Sequence, residues 1–281
     1  MVLESLFNPF VVKKKPWEMF FAGCVYSFVG LFLSYLVFRE LSGILMVFLI
    51  VMAAIPIVYN TIRKEEELDL EIKSEIGILK EHYKVLMFLL YFFTGTVVAL
   101  TLSYIFLPTS MVEPIFKFQS QAIVSVSNHV SGNITQFGLF KGIFFNNLRV
   151  LFFCLVFSFL YGMGAIFILT WNASVVAAAM GNLVKTKLAA LGSTVGFSVI
   201  GNYFSIGAFS FMRYMSHGIV EIAAYFIAGI AGGIISIAVI KHNLENEKVL
   251  YDSLDLIFIS IAVLFVAAII EVYVTPVLFI H

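Results

Sequence analysis

Glu221 and Glu271 are carboxylates set inside apolar runs, "SHGIVEIAAYFIAGIAGGIISIAVI" and "LIFISIAVLFVAAIIEVYVTPVLFI". At bilayer depth each costs about 2.5–3.5 kcal/mol on insertion scales, so such a residue is either paired or used for chemistry. Arg213 and His217 precede Glu221 at successive four-residue steps, which line up on one stripe of a continuous helix. Three chemistries fit these residues. The first is structural pairing, with Arg213 or Arg149 and His217 neutralising the glutamates, because desolvated charges seldom persist alone. The second is a path for a small solute or ion, which intramembrane carboxylates commonly mark. The third is a hydrolytic or metal site, for which His217 and Glu221 supply two ligands where zinc enzymes use three and a water. The chain has no H-E-x-x-H and no nucleophile elbow, so no catalytic residue, metal ligand or cofactor is assigned.

Position along the chain makes the two glutamates one problem. Glu221 stands about one turn into its apolar run, and Glu271 about one turn before the Thr275-Pro276 stop. Consecutive antiparallel spans set the start of one level with the end of the next, so both carboxylates fall at one depth. Asn146, Asn147 and Arg149 join that level if residues 188–212 cross the membrane.

The elements that must position this layer are transmembrane helices. Only 12% of the 281 residues are charged and 61% are hydrophobic, against about 25% charged in a globular domain. Too little polar surface remains to cover a soluble fold, and several uncharged runs approach the roughly 20 residues a helix needs to cross the hydrocarbon core. The fold class is therefore all-α, a polytopic transmembrane bundle of six or seven spans in one integral-membrane domain, with the bilayer as its first partner. A formal net charge of zero leaves no nucleic-acid footprint.

The apolar runs predict spans at about 17–38, 41–59, 85–107, 148–171, 188–212, 218–240 and 256–275. Residues 188–212 carry Gly192, Gly196, Gly201 and Gly207 and read as a broken or re-entrant segment, tolerated only where it packs on protein or lines a cavity. Residues 172–187 before it read as a short half-helix. Segment 60–84, with apolar residues at helical spacing among acids and bases, reads as a cytoplasmic amphipathic helix. Residues 108–147 read as an extracytoplasmic cap loop holding one helical piece and the sequon at Asn133. Gly229 and Gly233 form a GxxxG pair with Gly232 beside it. That face admits close helix packing and, with it, a homo-oligomer, most simply a dimer.

Grouping the lysine head, segment 60–84, Lys185 with Lys187, and residues 241–248 on one side gathers most basic residues there. By the positive-inside rule that side is the cytoplasm, so the N-terminus is cytoplasmic and the protein belongs to the cell membrane.

The strings "FFNNLRV", "YGMGAIFILTWNASVVAAAMGNLV", "MSHGIVEIAAYFIAGIAGG" and "AAIIEVYVTP", in this order, resemble the stage II sporulation protein M family from about residue 146 to 276. Matching positions are Asn146, Asn147, Gly162, Asn172, Gly181, His217, Gly218, Glu221, Gly229, Gly232, Glu271, Thr275 and Pro276. Ser216 stands where the family usually has a proline. In endospore formers the family is a membrane component that holds cell-wall hydrolases together during engulfment. The resemblance therefore implies a non-enzymatic scaffold for other membrane or envelope proteins. A transporter or channel using the polar layer is the alternative, and an intramembrane hydrolase the third.

Overall fold

Apolar runs bounded by charge and proline fold as helices because a backbone group left unpaired in hydrocarbon costs several kcal/mol. The computed structural model describes residues 16–69, 75–130, 135–161, 165–191, 197–240 and 247–279. Every element among them is helical. They are α1 (Glu18–Val37), a 3₁₀ turn at Arg39–Leu41, α2 (Ser42–Asp69), α3 (Glu75–Phe106) and α4 (Thr109–Val130). There follow α5 (Gln136–Tyr161), α6 (Ala165–Ala190), α7 (Phe197–Ile240), α8 (Glu247–Ile269), a π turn at Ile270–Val274 and α9 (Thr275–Leu278). Among the described residues, seven stretches are long and apolar enough to cross a membrane. The protein is a polytopic helical bundle.

The first pair forms where Arg39 and Glu40 interrupt the apolar run. α1 and α2 meet at Gly30, whose missing Cβ would lie 2.9 Å from Ile50 and 3.2 Å from the Met46 carbonyl. α1 also crosses α3 at Gly23 and Gly95, where a Cβ on either glycine would strike the other helix's backbone. Pro56 lies inside α2 without ending it.

Segment 60–84 is shared between two spanning helices rather than forming its own: its start completes α2 and its end begins α3. Residues 70–74 fall outside the described residues, as do those of the sequon before Thr135. Residues 108–147 are likewise largely helical. α4 kinks at Phe116 (φ −109°, ψ 15°), two residues after Pro114, and residues from Gln136 already belong to α5. Gln119 of α4 is fully buried, with its amide nitrogen donating to the Gly43 carbonyl at 3.1 Å and to Ser174 Oγ at 3.2 Å. That side chain joins α4 to α2 and α6.

The second half is divided differently from the sequence-based expectation. The run at 148–171 is described as parts of two helices, with residues 162–164 between them outside the described residues. α5 ends at Tyr161 and α6 begins at Ala165, and the expected half-helix at 172–187 lies inside α6 as part of a full span. Residues 192–196 lie outside the described residues; from Phe197 the glycine-rich segment runs without interruption into the expected 218–240 span. α7 holds 44 residues, about 66 Å at 1.5 Å per residue. It contains no proline. A glycine in a helix costs about 1 kcal/mol, whereas opening backbone hydrogen bonds in an apolar setting costs several. Continuity wins.

Contacts between helix ends fix which ends share a face. Arg39 donates to the Ser110 carbonyl at 3.4 Å, Lys185 donates to the Leu107 carbonyl at 3.5 Å, and Phe106 stacks on Tyr203. The α1–α2 turn, the end of α3, the end of α6 and the start of α7 therefore lie together. Lys185 and Lys187 sit at the opposite end of α3 from segment 60–84. The grouping that placed them on one side is corrected: their sequence neighbourhood gave no sign that α6 runs parallel to α3.

Candidate functional site

Because α7 is continuous through Gly218, Arg213, His217, Glu221 and Tyr225 share one stripe at four-residue steps. The facing residue comes from an irregular turn. Pro276 lacks the N–H that an α-helix would donate to the Val272 carbonyl, and its ring would crowd that carbonyl. The chain widens there into the Ile270–Val274 π turn, which carries Glu271, before α9 resumes at Thr275. Single π turns inside helices frequently occur at functional sites.

The structure brings five expected residues together: Asn146, Asn147, His217, Glu221 and Glu271. Tyr225 donates from its hydroxyl to Glu221 Oε1 at 2.7 Å, and the Asn147 side chain also hydrogen-bonds Glu221. Asn146 donates from its amide to Asn147 Oδ1 at 3.3 Å. His217 Nε2 stands 4.0 Å from Glu271 Oε1, within ion-pair range but beyond a hydrogen bond. Its other ring nitrogen lies 3.3 Å from Thr275 Oγ1, which also meets Ser216 Oγ at 3.2 Å. The layer thus ties α5, α7 and the end of α8 to one another.

Burial grades across the layer. Tyr225 is completely buried and Asn147 nearly so. The side chain of His217 is 14% exposed and that of Glu271 is 31% exposed. Asn146, Arg149 and Arg213 are exposed at its edge. Among the described residues neither arginine forms an ion pair with either glutamate. The expected arginine neutralisation is corrected: neutral donors satisfy Glu221, and the histidine faces Glu271.

Sequence reasoning missed Tyr225 altogether. Its signal was present as a hydroxyl four residues beyond Glu221, on the same stripe. Thr275 and Ser216 were visible only as a family position and a departure from it, not as partners of His217.

The glycine face lies alongside. A Cβ on Gly232 would sit 2.5 Å from the Leu155 carbonyl and 3.0 Å from Ser158 Cβ; one on Gly229 would sit 3.1 Å from Ala165 Cβ. Gly233 is buried beside them. Gly229 and Gly232 therefore let α7 approach α5 and α6 of its own chain, and at these positions the face offers no free surface to a second copy.

Chemically, the layer can fasten three helices. Among the described residues, two of the cavities lie elsewhere. One of about 10 Å³ is lined mainly by apolar residues such as Phe92, Leu169 and Phe226; a larger one lies near Lys117 and Lys185. Neither is lined by Glu221 or Glu271.

The family model described as Stage II sporulation protein M matches residues 84–276, which include the whole layer. Comparison with curated proteins and with solved structures finds no match.

Proposed function

Since the chain belongs to the Stage II sporulation protein M family, we propose that it is a non-enzymatic integral-membrane scaffold that assembles or anchors an envelope-associated protein complex. In this reading it lies in the cell membrane with its N-terminus cytoplasmic. Its partners are lipid, a second copy of the chain and other envelope proteins. One observation carries the reading: Glu221 is engaged both by Tyr225 of its own helix and by Asn147 of α5. Burying polar groups in mutually satisfying pairs fixes a helix arrangement, which is what a platform for other proteins requires. α4 and the charged ends of α2 and α3 offer docking surfaces. Self-association has to use a surface other than Gly229 and Gly232, which the chain fills itself.

The second reading is a path for an ion or small solute. It draws on the partly exposed Glu271 in its π turn.

Purification from the native source in mild detergent, with Glu221→Gln alongside, tests the proposal. A scaffold yields a defined set of co-purifying envelope proteins that shrinks in the variant, with no flux in reconstituted liposomes. Flux that Glu221→Gln abolishes while the partner set stays intact establishes the second reading instead.

A further inference from the structure

Away from the polar layer, a cleft of about 600 Å³ opens between the end of α3, the start of α4 and the end of α6. Its size lies within the usual range for small-molecule sites. Its lining includes Tyr104, Glu113, Lys117, Ser120 and Lys185, and of these the two lysines decide its chemistry. We propose that this cleft binds the phosphate of an anionic membrane lipid, with Lys117 and Lys185 as the recognising cations.

The two ammonium groups reach the cleft from different helices. Lys185 is held at the wall: its Nζ donates to the Leu107 carbonyl at 3.5 Å and lies 5.4 Å from the centre of the Tyr104 ring. Lys117 is exposed. Glu113 precedes it by one turn, but the kink at Phe116 lies between them. Among the described residues neither lysine forms an ion pair with a carboxylate. Two cations against one glutamate leave the lining with a positive balance. Thr109, which opens α4, and the hydrogen-bonded Tyr104 and Ser120 hydroxyls add polar partners.

Depth selects a lipid over a soluble phosphate as the source. The membrane-crossing part of α3 ends at Phe106, which is 68% exposed, and the cleft begins at that end. Val112 and Pro114 supply apolar wall beside the charges. Cations between helices at headgroup level suit the phosphate of an anionic lipid, as basic inter-helix pockets do on the cytoplasmic side of other membrane proteins.

The test uses the full chain in phosphatidylcholine nanodiscs with phosphatidylglycerol titrated in, and retained lipid read by native mass spectrometry. Phosphatidylglycerol is expected to be retained selectively and not displaced by inorganic phosphate. Lys117→Gln and Lys185→Gln each lower its retention about fivefold. Lys141→Gln, which removes an exposed lysine of α5 outside the cleft, leaves retention unchanged. Lys117 is exposed and, among the described residues, forms no ion pair, so its variant remains informative if the Lys185 variant fails to fold. Equal losses in Lys117→Gln and Lys141→Gln, or none in Lys117→Gln, overturn the site. Displacement by inorganic phosphate overturns the lipid as its ligand.

Discussion

Tyr225 hydrogen-bonds Glu221 at 2.7 Å from one turn farther along the same helix. The pair lies within α7, yet its effect extends between helices, because Asn147 of α5 holds the same carboxyl group. A polar group introduced by one helix is thereby satisfied by two.

Removing the hydroxyl with Tyr225→Phe is expected to lower stability by about 0.6–2 kcal/mol, the range for side-chain hydrogen bonds in membranes. Combining it with Glu221→Gln in a double-mutant cycle, followed by unfolding from mixed micelles, isolates the pair. Strict additivity of the two changes removes the coupling.

Glycine substitutions on α7 should rank by what a Cβ meets. Gly232→Ala pushes into the Leu155 backbone and is expected to cost about 1–3 kcal/mol. Gly229→Ala meets a side chain at 3.1 Å and costs less, and Gly201→Ala, with nothing within 4 Å, is tolerated. Thermal midpoints in one detergent give the order directly. A Gly232→Ala protein as stable as the parent would contradict the close crossing of α5 and α7.

The ends of α3 lie on opposite faces, with Lys185 at the Leu107 end. Cysteines at Tyr83 and Glu113, both exposed, are therefore expected to react with an impermeant maleimide from opposite sides of oriented vesicles. The native Cys24 and Cys154 lie in membrane-spanning helices and remain silent. Labelling of both positions from one side would restore the grouping of Lys185 with segment 60–84.

At Gln119 the prediction separates shape from polarity. The side chain makes two hydrogen bonds but leaves its own carbonyl oxygen without a partner. Gln119→Met preserves length and removes that orphan together with the bonds, so it is expected to cost less than about 1 kcal/mol. Gln119→Ala leaves a cavity between α2, α4 and α6 and costs about 2–5 kcal/mol. Denaturation of the two variants side by side checks the order.

Composition made the membrane class legible, because charge content alone leaves no way to cover a soluble surface. The common depth of Glu221 and Glu271 was legible from counting turns. Helix boundaries between residues 148 and 240 were not. That stretch is apolar nearly throughout, so hydropathy changes little whether a helix stops at Tyr161 or at Trp171. Glycine carried little positional information, and Gly192 and Gly196 fall outside the described residues. Gly201 and Gly207 suggested a break that the described part of α7 does not have, while Gly95 gave no sign that α1 crosses on top of it. A glycine used for a turn and one used for a close approach look alike until the neighbouring helix is in place. Tyr225 stayed hidden because an aromatic in an apolar run reads as packing.

The crossing of α1 on α3 bears on how the chain is made. Gly23 and Gly95 interlock so tightly that neither helix can finish packing without the other. At ribosomal rates of 5–20 residues per second, α1 waits roughly 4–14 s for its partner to be synthesised. The family match begins only at residue 84, so the hairpin of α1 and α2 is synthesised before the part that receives it. During that interval the grooved face of α1 is open to any other helix in the bilayer, and insertion order becomes a determinant of correct assembly.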